Sequence, residues 1–232
     1  MKIDVSKGPL GILMLDTRFP RIVGDIGNPA SFDFPVILRT MEGIGPSDAV
    51  AAHPDKPRVL AALTDNARKL AEAGAAGIST SCGFLALYQD ELAAASPVPV
   101  ATSALLLIAK LKGRRVGVLT ASARNLTPAH LTAVGAPGDT PVEGMPETGS
   151  FAHTFVTNGT TLDRDAVEGE AIAAGRALLA KHPSVDTIVL ECTNLPPYKQ
   201  AVQQAVGLPV LDVLDLLKDF HAGLGNVNGP AH

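Results

Sequence analysis

The chain carries two cysteines, Cys82 and Cys192, and each closes a short apolar run that reads as a buried strand. They stand 110 residues apart, the same interval that separates Ile78 from Ile188. One cysteine alone reads as a small buried hydrophobe. Two of them, at equivalent points of an internal repeat, read as a working pair. A thiolate can take a proton from a carbon next to a carbonyl while an opposing thiol returns one to the other face, which inverts a stereocentre. Thr193, Asn194, Pro196 and Pro197 follow Cys192 as helix-start residues, so its thiol is expected near a positive helix end that favours thiolate. Ser79, Thr80 and Ser81 precede Cys82 as donors for an anion, and Gly83 follows it where a ligand can approach the backbone.

The elements that position these thiols alternate between short apolar runs and helical patterns, the signature of a parallel α/β protein. Gly11 to Leu15 and Phe34 to Leu38 read as strands, the second starting at or lying near an edge because of Pro35. Arg58 to Ala73 reads as a helix with Leu60, Leu63, Ala67, Leu70 and Ala71 on one side, and Ala75 to Thr80 as the strand that leads to Cys82. The order then recurs. Lys7-Gly8 before Gly11-Ile12-Leu13 matches Lys112-Gly113 before Gly117-Val118-Leu119, and a Pro-Val pair follows each cysteine by 17 residues, at Pro99 and Pro209. A repeat this long means two similar half-domains rather than a solenoid. The expected division is a first lobe of 1–101 plus 208–232 carrying Cys82, with strand and helix 209–221 returning to it, and a second lobe of 102–207 carrying Cys192. Thiols at the carboxyl ends of parallel strands lie where open α/β sheets bind ligands, and the pseudo-symmetry sets them across a cleft between the lobes. Gly223 to His232 is expected to fray.

Composition narrows the function. A net charge of −4, seven Phe, two Tyr and no Trp leave no basic run and little stacking surface for nucleic acid. The longest apolar stretch, Val98 to Ala109, is broken by Pro99, Thr102 and Ser103 and is too short to span a bilayer. Without a signal-like N-terminus the protein is expected to be cytoplasmic with reduced thiols. Gly43-Ile44-Gly45 has Asp48 where a dinucleotide fingerprint needs its third glycine, no P-loop is present, and the histidines lack metal-ligand spacing. No cofactor and no metal are expected.

Several further residues compete for a place at the cleft. Arg18 and Arg21, after the first strand, suit a carboxylate grip as well as they suit a solvated loop, and the 18–28 segment reads as connector or lid. Asp16 could orient Cys82 or cap a turn. Glu191 is expected to point away from the site into lobe packing or an ion pair, by strand alternation from Cys192. Ser122 and Asn125 suit anion binding or a cap before Thr127-Pro128. His53, His130, His153 and His182 are read as structural.

Gly11 to Thr17, Ser79-Thr80-Ser81-Cys82-Gly83, Gly117 to Thr120 and Leu190-Glu191-Cys192-Thr193-Asn194-Leu195-Pro196 together resemble the aspartate/glutamate/hydantoin racemase superfamily. That superfamily includes amino-acid, hydantoin and allantoin racemases, maleate isomerases and arylmalonate decarboxylases. The resemblance implies two flavodoxin-like lobes with mostly parallel sheets, no cofactor, and Cys82 and Cys192 exchanging acid and base roles. It places Asp16 and Thr17 where glutamate racemases carry Asp-Ser, and matches Thr193 and Thr120 to threonines near the substrate carboxylate. Cys82-Gly83-Phe84 replaces the Cys-Asn-Thr of amino-acid racemases, and Asn194 stands where an ionisable helper is usual. Superfamily decarboxylases typically keep only the second thiol, so Cys82 favours racemase or isomerase chemistry. The implied substrate is an amino acid, a hydantoin-like cyclic amide or a related small carboxylate, and a homodimer is expected. A cis–trans isomerase or decarboxylase on the same fold, and a non-catalytic small-molecule sensor, stay open.

Overall fold

A computed structural model describes residues 7–225. Lys2, Asp4 and the tail from 226 onward, including most of the segment expected to fray, lie outside the described residues. The chain forms two parallel four-stranded sheets of the same order. In the first, β1 (Leu10–Leu15) lies between β2 (Val36–Met41) and β3 (Gly77–Thr80), with β4 (Val100–Ala101) beyond β3. In the second, β5 (Val116–Thr120) lies between β6 (Val142–Gly144) and β7 (Thr187–Leu190), with β8 (Val210–Leu211) beyond β7. The registers repeat as well: Leu13 sits opposite Thr80, and Leu119 opposite Leu190. In both sheets the order reverses beside the first strand, which puts the ligand-binding crevice at the ends of β1, β3, β5 and β7.

Local sequence accounts for the main helices. The short α1 (Pro46–Ala49) precedes α2 (Lys56–Glu72), which starts two residues before the expected Arg58 because the Asp55 side chain accepts the Arg58 N–H at 3.2 Å. Its buried face is Val59, Leu63, Ala67 and Leu70. α3 (Gln89–Ala95), α4 (Leu106–Lys110) and α5 (Pro128–Thr132) are short connectors. α6 (Arg164–Lys181) is capped by Asp163 and packs on α7 (Lys199–Val206) at Gly175, where a β-carbon would lie 3.0 Å from Val206. α8 (Val213–Gly223) ends the described chain.

The lobe boundary differs from the expectation in one strand. β8 pairs in parallel with β7 and stays in the second sheet. Only α8 crosses back: Phe220 lies against Gly77, His221 bonds the Gly8 carbonyl at 2.9 Å, and its ring stacks on Phe34 at 4.1 Å. α4 makes the opposite exchange, with Ala109 against Gly135 of the second lobe. A two-residue strand contributes few ladder bonds, so its sheet is set by the strand it follows, while the helix goes where its apolar face is covered.

Polar contacts stitch the lobes together around the crevice. Thr193 Oγ donates to the Ser81 carbonyl at 2.7 Å, and Asn194 Nδ2 to Asp25 at 2.6 Å. Asn158, in a left-handed conformation after a π-helical turn over Ala152–Val156, accepts the Arg18 N–H at 2.7 Å and donates to the Asp16 carbonyl at 3.3 Å. Asn125 Nδ2 donates to the Val50 carbonyl at 3.1 Å.

Candidate active site

Both cysteines are free, buried, and on the wall of one cavity between the lobes. Cys82 follows β3 and opens a 3-10 turn over Gly83–Tyr88, while Cys192 follows β7 and precedes a 3-10 turn over Pro196–Tyr198. Thr17, Arg21, Ser81, Gly83, Thr193 and Asn194 also reach the cavity. Its apolar side comes from Leu15, Phe19, Phe84 and, from the second lobe, Phe155. Phe19 and Phe155 meet edge to face at 5.0 Å, and the Arg21 guanidinium lies 4.6 Å over the Phe19 ring.

Arg21 is held in place by two fixed acceptors. One terminal nitrogen donates to Asp25 and the other to Thr17, at 2.7 and 2.8 Å. Asp25 is buried, and also accepts from the Gly27 N–H at 2.7 Å and from Asn194. These bonds fasten the 18–28 loop as a wall of the cavity. Guanidinium carries five N–H donors, so Arg21 keeps capacity for an anion after binding Asp25 and Thr17.

Glu191 overturns the alternation argument. β7 ends at Leu190, so the strand's alternation does not extend to Glu191, and its side chain is fully buried and lines the cavity with both cysteines. It is the repeat counterpart of Ser81, and both residues serve the end of their lobe's first strand. Ser81 Oγ accepts the Leu15 N–H at 2.9 Å, whereas Glu191 Oε2 accepts the Thr120 hydroxyl at 2.7 Å with the Ala121 N–H also facing the carboxylate. Being longer, Glu191 extends past that anchor. Its Oε1 lies against the α-carbon of Gly83 and has no hydrogen-bond partner among the described residues.

Burial dominates the electrostatics. It pushes the Cys82 thiol up to about 12, with the Glu191 carboxylate adding to the rise and the Phe84 and Leu85 N–H groups and Arg21 opposing it. The Cys192 thiol is also pushed well above its usual range, by burial and then Glu191, against the Asn194 N–H. Glu191 itself is raised to about 7 by burial, opposed by Thr120 and Ala121. The expected preference for thiolate is therefore reversed: helical-turn N–H groups do face the sulfurs, but desolvation outweighs them.

Other expected site residues fall elsewhere. Asp16 is exposed and accepts the Gly43 N–H at 3.1 Å, a turn cap. Arg18 is exposed and its guanidinium bonds the Asn158 carbonyl at 3.3 Å. Thr120 stands behind the wall, committed to Glu191. The Ser122 carbonyl accepts the Asn125 and Leu126 N–H groups in a turn off the cavity. Gly83 reaches the cavity, but the space beside its α-carbon is filled by Glu191: a β-carbon there would stand 2.2 Å from Oε1 and 2.3 Å from the Glu191 carbonyl. Thr193 and Asn194 bridge the lobes rather than capping α7. His130 is buried behind Phe84, with ring centres 5.1 Å apart, and His182 ends α6. Among the described residues no His, Cys, Asp and Glu group has the arrangement of a metal site.

The model of the Asp/Glu/hydantoin racemase family matches residues 35–218, a span that holds both cysteines and most of each sheet. The chain belongs to this family. Within it, similarity extends to proteins named for other chemistry. A dimethylsulfoniopropionate lyase of Durusdinium sp. clade D is 28% identical over 223 residues, covering 91% of this chain and 73% of that protein. Dimethylsulfoniopropionate lyase 5 of Emiliania huxleyi is 29% identical over 227 residues; the match covers 92% of this chain and 45% of the longer lyase. Among solved structures, a mutant of arylmalonate decarboxylase matches with a TM-score of 0.65 at 19% identity, covering 97% of this chain and 96% of that one. Allantoin racemase from Pseudomonas fluorescens matches with a TM-score of 0.64 at 16% identity, over 94% and 93% of the two chains. These structural likenesses are of fold, and the fold is the one the residue motifs implied. No helix among the described residues is long and apolar enough to cross a membrane.

Proposed function

We propose that this protein is a cofactor-independent racemase or epimerase that deprotonates the carbon next to a carboxylate or cyclic-amide carbonyl. The observation that carries the reading is the placement of Cys82 and Cys192 on one cavity at matching strand ends of the two lobes. Arg21, fixed by Asp25 and Thr17, supplies the positive charge for a substrate carboxylate. One cysteine, as thiolate, takes the α-proton; the C–H electron pair enters the enediolate; the other cysteine, as thiol, returns a proton to the opposite face and becomes the thiolate. A thiolate formed against strong burial is a strong base, suited to a weakly acidic C–H bond. The Phe84, Leu85 and Asn194 N–H groups face the sulfurs and offset part of the cost of forming a thiolate there.

A second reading is favoured by the names of the relatives. If a β-carbon leaving group is present, the same α-deprotonation proceeds to elimination: the C–H pair becomes the new C=C bond and the leaving group departs with its own pair. Dimethylsulfoniopropionate would give acrylate and dimethyl sulfide by that route, and Phe19, Phe84 and Phe155 give the cavity an aromatic lining for its sulfonium. One panel separates the two. In heavy water, paired enantiomers of acidic and neutral amino acids, hydantoins and allantoin are followed for deuterium uptake and optical purity, and dimethylsulfoniopropionate for dimethyl sulfide in the headspace. Exchange with loss of optical purity supports the racemase. Dimethyl sulfide without it replaces that reading with the lyase, and neither signal overturns both for these substrates.

A further inference from the structure

Glu191 is a buried carboxyl that neither reading above uses. The Thr120 hydroxyl holds its Oε2, which leaves Oε1 to carry any proton. Oε1 sits over Gly83, between the two cysteine-bearing strand ends, with no partner among the described residues. A carboxylate there is a negative charge close to both buried sulfurs. A thiolate and that carboxylate repel each other, and a substrate carboxylate would add a third anion to the same space.

We propose that Glu191 is a positioning residue for the thiol pair: it holds a proton between Cys82 and Cys192, and its charge state controls whether either sulfur can become a thiolate. The neutral acid permits ionisation and the carboxylate suppresses it. The groups that face this carboxyl are Cys82 after β3, Cys192 after β7 and Thr120 at the end of β5. The charges nearest the thiols from the loop after β1 are Arg21, which favours thiolate, and Asp25, which opposes it. Arg21 and Asp25 are bonded to one another and so largely offset. His130 lies behind Phe84, and burial holds its imidazole down at about 4, so it stays neutral through the range concerned. Glu191 is then the group in the cavity whose charge changes near neutral pH, since burial raises it to about 7.

The repeat gives the inference a second support. Ser81 stands at the matching position of the first lobe and does the same anchoring work with a hydroxyl that cannot titrate. Anchoring alone therefore does not require an acid at 191.

Alkylation of each cysteine by iodoacetamide, a small neutral probe, resolved by peptide mass spectrometry from about pH 5.5 to 8.5, tests this without any substrate. In Glu191→Gln both thiols should react at the wild-type rate at the acid end and about tenfold faster at the alkaline end, with the ratio rising through about pH 7. A merely structural role would give a ratio that does not change with pH, and that result overturns the proposal. Should Glu191→Gln fail to fold, the wild-type profile carries the test: its slope should flatten near pH 7, and Thr120→Val should move the flattening to higher pH by removing a bond to the charged form. A wild-type profile with no flattening also overturns it. The inference rests on the proposed function only for its catalytic meaning. Flattening without turnover sinks that function alone, and turnover without flattening sinks Glu191 alone.

Discussion

Gly83→Ala probes the contact on which the site is built. The added β-carbon would stand 2.2 Å from Glu191 Oε1, 2.3 Å from the Glu191 carbonyl oxygen and 2.8 Å from Cδ. The side-chain contacts could be relieved by turning the carboxyl, at the expense of its bond from Thr120. The carbonyl cannot turn so freely, because the Glu191 N–H of the same backbone segment is tied to the Leu119 carbonyl at 2.8 Å. Forcing a methyl group into such a site costs about 2–3 kcal/mol. For a domain of this size that lowers the melting temperature by about 4–12 °C. Thermal and urea unfolding measure the loss, with Gly169→Ala as a control. Gly169 lies in α6 with nothing within 4 Å of a β-carbon, so alanine there should stabilise by about 0.5–1 kcal/mol. The double variant Gly83→Ala with Glu191→Ala should recover less than half the loss, since truncation removes the carboxyl and leaves the carbonyl. Full recovery, or a single-variant loss under about 1 kcal/mol, would refute the packing argument.

Asp25→Ala removes the acceptor shared by Arg21, Gly27 and Asn194 and leaves a half-buried guanidinium unpaired, so urea unfolding should show a loss of about 3–5 kcal/mol. A loss under about 1 kcal/mol would mean that the loop is held by other contacts. His130 has its folded-state value lowered by burial from 6.5 to about 4, so the unfolded chain binds the proton first. Its contribution to stability is complete above about pH 6.5 and declines as the pH falls toward 4, and His130→Gln should flatten that part of the stability–pH curve. An unchanged slope in this variant would assign the decline to other groups.

Periodicity and the repeat reveal the sheets, because strands covered on both faces are written as continuous apolar runs such as Gly11 to Leu15 and Ile188 to Leu190. They also put both cysteines at strand ends, where the structure places them. α6 was harder to read: its buried face is Val167, Ala171, Ala174, Gly175 and Leu178, small residues that give weak contrast with the exposed face. β8 joins the second sheet rather than the first; sequence adjacency does not fix which sheet a two-residue strand joins. Asp16 and Arg18 lie close to β1 in sequence, yet both side chains are exposed and bond loop backbone at Gly43 and Asn158 rather than the cavity. Phe155 could not have been placed, since it reaches the cavity on a π-helical turn far from either cysteine in sequence. Glu191 did leave a signal. The repeat sets it opposite Ser81, and an acid in register with a small hydroxyl one residue before a buried thiol breaks the likeness of the two halves at the place where their chemistry meets.

The two-thiol account stands or falls on turnover by the separate Cys82→Ala and Cys192→Ala variants, each assayed for solvent deuterium entering the α-carbon of both enantiomers of a turned-over substrate. It predicts that each variant loses about 10²-fold to 10⁴-fold in racemisation. Full racemisation by either variant would contradict it.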